Sequence, residues 1–294
     1  MTELKAGLAE RLPAPEWLEP STGAAAGMRL AFRAYLAGRP RASVLISHGL
    51  AEHSGWWQHV ALALQARGIS AFLFDHFHHG QSAGRIADVP HYDVLAEGIR
   101  CALEQGVLPR SPGIPVVLLG HSNGGCAGLF ALPKLSDRIQ GLVLCSPLIR
   151  MPWVAHWLGP IPAFLISRRD PGAYWPLALE PEAHTTNAAV WPQYASDPLR
   201  FHKISARFYL AMRSACNTVE SLNDIRGLPL LLLSAGEERI VDLGAMLRWY
   251  GRLRANDKTH LVHPGRRHEL FNEVDWQRTV DETVAWVDAR FPAR

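Results

Sequence analysis

The sequence has little that would place it in a membrane or in the secretory pathway. It contains no apolar run of about 18 residues, which a membrane-spanning helix would need. Residues 1–20 mix both signs of charge and are broken by prolines, so they lack the apolar segment of a secretory signal. The sequence therefore predicts a cytoplasmic protein that is at most peripheral to the inner membrane face.

Cysteine and net charge are also low, and each absence excludes a class of protein. The four cysteines show no CxxC spacing and fall in apolar or helix-like stretches, which favours buried free thiols over disulfides or a structural metal site. The formal net charge is only +3, from 30 basic and 27 acidic residues, which argues against a nucleic-acid partner. With 48% hydrophobic residues in a chain of 294, a sizeable core is expected, in one large domain or two small ones.

Short apolar runs alternate with helix-like stretches along most of the chain. The continuous apolar character of these runs is typical of strands that are buried on both faces. The runs are SVLISH (43–48), SAFLFD (70–75), PVVLLG (115–120), GLVLCSP (141–147), LPLLLLSAG (228–236) and KTHLVHP (258–264). Strand and helix in this rhythm predict an α/β fold with a mostly parallel central sheet flanked by helices.

The rhythm divides the chain into three parts. Residues 1–25 are interpreted as a loosely attached N-terminal arm. Residues 26–147 and 226–294 carry the strand and helix pattern and form the predicted core. Residues 148–225 are rich in proline and tryptophan and lack buried-strand runs, so they are interpreted as an inserted helical cap or lid.

A candidate nucleophile lies between a buried strand and a helix. Residues Gly120, His121, Ser122, Asn123 and Gly124 fit the pattern G-x-S-x-G. Strand before and helix after are the context of a nucleophile elbow, in which a tight turn lifts the serine hydroxyl above the sheet. The alternative is a glycine-rich turn whose serine merely caps the helix. The context favours a serine nucleophile.

The predicted base follows the last strand. A serine nucleophile needs a general base, and in this type of fold the order along the chain is serine, acid, histidine. Of 14 histidines, His268 is the best placed, in the loop between the strand at 258–264 and the final helix. His260 and His263 lie inside that strand and are interpreted as structural.

The acid that orients the histidine is expected after the strand at 228–236. Three carboxylates compete there: Glu237, Glu238 and Asp242. Glu238 is preferred because it stands where the loop turns back to the sheet, directly before an apolar pair. Glu237 and Asp242 remain alternatives, and a carboxylate that is not the acid is expected to be a solvated charge of the loop.

Two backbone N–H groups are expected to form an oxyanion hole. One belongs to Asn123, directly after the nucleophile, and the other to Leu50, in the loop after an early strand. The acid and histidines of residues 75–82 suggest a metal cluster at first sight. They lie in one irregular loop, with no second set of ligands elsewhere, so a structural loop is favoured and no metal is expected.

Taken together, these segments resemble the lysophospholipase and monoacylglycerol lipase branch of the α/β hydrolases. The matching segments are HGLAEHSGWW (48–57), FDHFHHGQSAG (74–84), GHSNGG (120–125), DPLRFHKIS (197–205), LLLSAGEERIVD (231–242) and GRRHELFNE (265–273). The resemblance implies a triad of Ser122, Glu238 and His268, with Leu50 and Asn123 as oxyanion donors. The sequence departs from much of the family in having Glu238 where Asp is common and Asn123 where Met is usual.

The resemblance also implies a substrate, a lipid ester cleaved through an acyl-enzyme without a cofactor. The insertion offers an apolar, aromatic surface for an acyl chain or a membrane face, and the alternative is that the same side chains pack the cap onto the core. They are Trp153, Trp157, Phe164, Leu165, Tyr174 and Trp175. Rival interpretations are a non-lipid esterase, a peptidase or a C–C hydrolase on the same triad, and a non-catalytic ligand binder. The oligomeric state is left open.

Overall fold

The computed structural model of the protein describes residues 12–152, 160–177 and 180–292, and within these ranges the chain forms ten strands. The strands are β1 (Glu16–Leu18), β2 (Leu30–Tyr35), β3 (Ala42–Ser47), β4 (Ile69–Phe74), β5 (Val116–His121), β6 (Gly141–Cys145), β7 (Tyr174–Pro176), β8 (Lys203–Ser205), β9 (Leu230–Ala235) and β10 (Lys258–His263). Eight of them form one sheet in the order β1-β2-β4-β3-β5-β6-β9-β10. From β4 to β10 every neighbouring pair in the sheet is parallel, which confirms the predicted mostly parallel sheet.

Helices connect these strands and cover the sheet. In the described residues the α-helices are α1 (Gln58–Ala66), α2 (Asp93–Cys101), α3 (Ser122–Leu135), α4 (Pro160–Arg169), α5 (Pro181–His184), α6 (Trp191–Ser196), α7 (Ala206–Ser221), α8 (Leu243–Arg252) and α9 (Trp276–Arg290). A π-helical segment, Ala102–Val107, continues α2. No helix of the described residues is long and apolar enough to cross a lipid bilayer.

The buried runs form strands because helices cover both faces of the sheet. Every residue of β3, β4, β5, β6 and β9 is buried. Successive side chains point to opposite faces, so Leu45 packs in one hydrophobic cluster while Val44 and Ile46 pack in the other. Continuous apolar sequence is therefore what a central parallel strand of this sheet requires.

The prediction of a loose N-terminal arm is wrong for part of its length. Residues 16–18 form β1, which pairs antiparallel with β2 at the edge of the sheet. Ala25, also in the predicted arm, is buried in the main core. This three-residue strand lies in a charged segment that is flanked by prolines. Its backbone pairing with β2, rather than an apolar run, holds it in the sheet. Residues 1–11 lie outside the described residues.

The insertion between β6 and β9 is largely helical where it is described. It carries α4 to α7 and an antiparallel pair, β7 with β8, that the sequence pattern did not predict. Its last helix, α7, buries Cys216 in the same hydrophobic cluster as Leu129 of α3. The four cysteines are all buried and free, as predicted. The division at residues 148 and 225 stays a prediction.

Candidate active site

Ser122 occupies a strained turn between β5 and α3. β5 ends at His121 and α3 begins at Ser122, whose φ is 50°. This left-handed conformation is uncommon for a residue with a side chain, and such strain is found where a structure holds a reactive group in place. The strand, the sharp turn and the helix are the geometry of a nucleophile elbow.

Two glycines bring the loop after β3 against this turn. A Cβ on Gly124 would lie 2.2 Å from the carbonyl oxygen of Ser47 and 2.3 Å from that of His48, so only glycine fits. A Cβ on Gly49 would lie 3.3 Å from the Cβ of Ser122. The loop that begins at His48 therefore runs directly beside the serine.

The predicted oxyanion donors lie on these two elements. Leu50 is half-buried and follows Gly49, and Asn123 is the second residue of α3 and fully buried. The first N–H groups of a helix have no acceptor within it, so they are available to a negative oxygen at this end. The Tyr92 hydroxyl donates to Oδ1 of Asn123 at 2.8 Å and so fixes the Asn123 side chain. The backbone N–H of the same residue is the predicted oxyanion donor.

His268 and Glu238 form a buried pair. Nδ1 of His268 lies 2.9 Å from each carboxylate oxygen of Glu238. The ring of His268 lies 4.9 Å, centroid to centroid, from the ring of His121, the residue before the serine. Burial would raise the pKa of Glu238, but His268 and two backbone N–H groups, those of Ile240 and Val241, outweigh it and lower the pKa to about 2. The carboxylate is therefore ionised at neutral pH and holds the imidazole by Nδ1.

The other two candidate acids have different contacts. Oδ1 of Asp242 accepts from the backbone N–H of Ala245 at 2.8 Å and so caps α8. Glu237 is half exposed and lies 3.6 Å from Arg239. Of the three carboxylates that the sequence left open, the structure brings only Glu238 to His268.

The strand histidines have structural contacts, as interpreted from the sequence. Nε2 of His260 lies 2.8 Å from the hydroxyl of Ser234 on the neighbouring strand β9. Nε2 of His263 lies 3.0 Å from a carboxylate oxygen of Glu282 in α9. The first contact joins β10 to β9, and the second joins β10 to α9.

A second polar cluster lies beside the triad residues, and sequence reasoning missed it. One ligand-type atom each from Glu52, His121 and Glu269 lies within 4.8 Å of the others, and all three side chains are buried. Among the described residues this is the group whose spacing would suit a metal ion. The residues come from three separate segments, so no spacing in the sequence signals them. The available signal was adjacency, because His121 precedes Ser122 and Glu269 follows His268.

The histidine-rich loop after β4 has the contacts of a structural loop. Asp75 accepts from the backbone N–H of Ser54 at 2.7 Å and from that of Gln81 at 2.8 Å. Nδ1 of His79 lies 3.1 Å from the carbonyl oxygen of Phe77. The carboxylate and this imidazole thus bind backbone groups of their own loop and, through Ser54, of the loop after β3.

Three histidines at this loop predict that the protein loses stability in mild acid. Burial lowers the pKa of His48, of His76 and of His79, the last to about 3. Below about pH 6.5 these histidines bind protons more readily in the unfolded chain than in the folded one, so each lowers the free energy of unfolding as the pH falls. For His79 the slope approaches about 1.4 kcal/mol per pH unit. Urea unfolding should therefore show a midpoint that falls steadily from pH 6.5 to 5. His79→Asn should flatten that slope, whereas the exposed control His91→Asn should keep it; a constant midpoint would contradict the prediction.

The aromatic residues of the insertion divide into two groups. Tyr174 and Trp175 pack locally: the Tyr174 hydroxyl donates to the carbonyl of Ile86 at 2.5 Å, and Trp175 packs edge-to-face against Tyr209 of α7. Phe164 and Leu165 of α4 are more than half exposed. Trp153 and Trp157 lie outside the described residues.

Comparison with known proteins supports the same architecture. Residues 38–275 match the family described as serine aminopeptidase, S33. A monoacylglycerol lipase of Mycolicibacterium smegmatis is 26% identical over 255 residues, covering 84% of this chain and 88% of the relative. A monoglyceride lipase homolog of Monkeypox virus is 31% identical over 254 residues, covering 84% and 90%.

A solved structure shows the fold. A soluble variant of monoglyceride lipase from Saccharomyces cerevisiae, in complex with a substrate analogue, superimposes with a TM-score of 0.79 at 20% identity. The match covers 95% of this chain and 96% of that chain. A likeness of this extent confirms the predicted α/β-hydrolase fold.

Proposed function

Because the chain belongs to the serine aminopeptidase S33 family of α/β hydrolases, we propose that it is a serine hydrolase of lipid esters, with monoacylglycerol as the leading substrate. The observation that carries the proposal is the buried pair of His268 and Glu238, with Nδ1 2.9 Å from both carboxylate oxygens. It supplies an oriented base at the edge of the sheet where β5 ends and the strained Ser122 follows, because the His268 ring lies beside that of His121. The choice of an ester as the substrate rests on the names of the relatives, which are monoacylglycerol and monoglyceride lipases.

The proposed reaction has two steps. Glu238 holds His268 by Nδ1, which leaves Nε2 to take the proton of the Ser122 hydroxyl as the oxygen attacks the ester carbonyl. The tetrahedral oxyanion receives hydrogen bonds from the N–H groups of Leu50 and Asn123. His268 then gives the proton to the leaving alcohol, and an acyl-enzyme forms on Ser122.

Deacylation repeats the same proton transfers with water. His268 takes a proton from a water molecule, the hydroxide attacks the acyl carbonyl, and the serine leaves with that proton. The products are a fatty acid and the alcohol. Every proton is carried by the imidazole, so the scheme requires no cofactor.

The insertion supports an amphiphilic substrate. On α4 the exposed fractions are 70% for Ile161, 52% for Phe164 and 58% for Leu165, and Arg168 and Arg169 follow in the last turn. Apolar side chains beside basic ones are the composition of a helix that rests on a lipid surface. We propose that α4 makes a peripheral contact with membranes of the cytoplasmic side.

Vesicle flotation tests this contact. The wild type should float with vesicles that contain anionic phospholipid, and the double variant Phe164→Ser/Leu165→Ser should float several-fold less. Leu62→Ser is the matched control, because Leu62 is also exposed but lies on α1. If the double variant floats as well as the wild type and the control do, α4 is not the membrane contact.

A substrate panel tests the function itself. It compares monoacylglycerols of increasing chain length, a lysophospholipid, a short p-nitrophenyl ester and an aminoacyl p-nitroanilide, each with the wild type and with Ser122→Ala. We expect kcat/KM for a monoacylglycerol to exceed that for the short ester by about ten-fold or more, since burying each methylene contributes about 0.8 kcal/mol. Preference for the lysophospholipid would move the substrate within the lipid esters. Preference for the anilide would replace the proposal by a peptidase.

A further inference from the structure

His121 lies between a backbone carbonyl, which only accepts hydrogen bonds, and a carboxyl group, which, when it is ionised, also only accepts them. Its Nε2 lies 3.2 Å from Oε1 of Glu52, and its Nδ1 lies 3.2 Å from the carbonyl oxygen of Cys145. A neutral imidazole carries one N–H and can serve only one of these acceptors. An imidazolium carries two and serves both. The ring is 1% exposed, so water cannot replace the missing partner.

Glu52 is held as an ionised partner. Its second oxygen, Oε2, accepts from Nε1 of Trp57 at 2.8 Å, and the side chain is 3% exposed. Burial would raise the pKa of Glu52, but the neighbouring His121 lowers it below its ordinary value. Burial would lower the pKa of His121, yet the charge of Glu52 raises it well above the ordinary value.

A second carboxylate faces the same ring. Glu269 belongs with Glu52 and His121 to the cluster of atoms within 4.8 Å of one another. Its Oε2 accepts from the hydroxyl of Tyr194 and, at 2.8 Å, from Nδ2 of Asn272, and both donors favour the ionised form. Burial opposes that form, but His184, Arg200 and His121 lower the pKa of Glu269.

The three residues connect three parts of the proposed catalytic machinery. Glu52 belongs to the loop that carries Leu50, His121 precedes Ser122, and Glu269 follows His268. β6 ends at Cys145, and three residues later Leu148 donates its N–H to the carbonyl of Ser122 at 2.9 Å. The ring at the centre therefore lies against the oxyanion loop, the histidine loop and the end of β6.

We propose that His121 is a permanently protonated positioning residue, an imidazolium that holds the oxyanion loop through Glu52 and the histidine loop through Glu269. The inference rests on the proposed function, because it assigns these loops to catalysis. His121 moves no proton in the reaction. It sets the distance between Ser122, its base and its oxyanion donors.

The groups around the ring of His121 come from several segments of the chain. Their charges favour the protonated form of the imidazole. The titratable and charged groups that face it, directly or across Glu269, are Glu52, Glu269, His268, Cys145, His184 and Arg200. The two carboxylates are the nearest charges. Removing one of them should let the ring lose its proton within the range of an ordinary assay.

The first test reads the protonation state without any turnover. In the wild-type protein, 15N NMR of the imidazole nitrogens, with His121 assigned by its absence in His121→Gln, should show both nitrogens protonated from pH 6 to 8.5. A neutral ring at pH 7 would overturn the proposal. So would one tightly held divalent ion per purified chain that is lost in Glu52→Gln. Neither result depends on which ester the enzyme hydrolyses.

The second test separates positioning from mere structural support. In Glu52→Gln the ring should lose its proton as pH rises, so kcat for a p-nitrophenyl ester should fall about ten-fold or more from pH 6 to 9, with KM little changed. This alkaline loss is opposite in direction to the acid loss that is expected when a general base becomes protonated. Glu52→Asp, which keeps the charge, should retain the wild-type profile.

Glu273→Gln is the matched control. Glu273 is a buried carboxylate of the histidine loop, but it accepts from the backbone N–H groups of Thr186 and Arg267 and is not part of the cluster of Glu52, His121 and Glu269. Its profile should keep the wild-type shape. An equal loss of activity at every pH in Glu52→Gln would show that Glu52 only supports the fold, and the proposal would fail. Fluorophosphonate labelling of Ser122 in the wild type tests the proposed function independently.

Discussion

Ser122→Ala is expected to lower kcat for a p-nitrophenyl ester by at least about 10⁴-fold, because the variant has no oxygen to attack the carbonyl. The oxyanion donors and the pocket remain, so the residual rate should stay above that of the uncatalysed reaction. Alanine removes one buried hydroxyl from a turn that already has a φ of 50°, and the fold should therefore be kept. The loss is measured as kcat for the ester, and a thermal unfolding curve checks that the variant keeps the fold.

Ser146→Ala is the matched control for that loss. Ser146 is also a buried serine just after a central strand, and its φ of 42° is strained in the same way. It lies after β6 rather than β5, and no helix begins at it. Its replacement should leave kcat within about three-fold, as is usual for a group outside the reaction path. Equal losses in the two variants would mean that strained turns, not the nucleophile, are being measured.

Glu238→Gln is expected to cause the next largest loss, about 10³-fold to 10⁴-fold in kcat. A glutamine keeps the size of the side chain but removes the charge that holds the imidazole by Nδ1 and stabilises the imidazolium formed during attack. The affinity for substrate should change little, because Glu238 is buried behind His268. The loss should therefore appear in kcat rather than in KM.

The neighbouring carboxylate provides the comparison. Glu237→Gln changes the same charge one residue earlier, but Glu237 is half exposed and lies beside Arg239. We expect its kcat to stay within about two-fold of the wild type, as for most surface substitutions. If Glu237→Gln were the damaging variant, the assignment of the acid would have to move along the loop. Glu238→Asp should fall between the two, since the carboxylate is kept but withdrawn from Nδ1.

The fold was predictable where burial alone decides the structure. The five fully buried strands each appear in the sequence as a short apolar run, because helices cover both faces of a parallel sheet. β1 escaped prediction for the opposite reason. It is three residues long, and its pairing with β2 rather than its composition keeps it in the sheet.

The candidate site was predictable where a residue is tied to a pattern of strand and helix. Ser122 and His268 each follow a recognisable strand. The sequence favoured Glu238 but left Glu237 and Asp242 as alternatives, because three carboxylates in one loop differ mainly in the direction that the backbone gives each side chain. The loop turns so that Glu238 accepts from the N–H groups of Ile240 and Val241, and this turn aims it at His268.

The cluster around His121 was not predictable from spacing at all. Glu52, His121 and Glu269 lie far apart along the chain and meet only because β3, β5 and β10 end at the same edge of the sheet. His121 appeared in the sequence as the variable residue of the elbow pattern. Its two acceptor contacts become visible only when the neighbouring loops are in place.

Labelling with a fluorophosphonate probe tests the central claim most directly, that Ser122 is a nucleophile activated by His268. Peptide mass spectrometry of the labelled wild-type protein should find one adduct, on Ser122, and a monoacylglycerol added beforehand should slow its formation. Ser122→Ala should take no label, and Glu238→Gln should label far more slowly than Glu237→Gln. A wild-type protein that stays unlabelled, or that carries its label on another residue, would contradict the account.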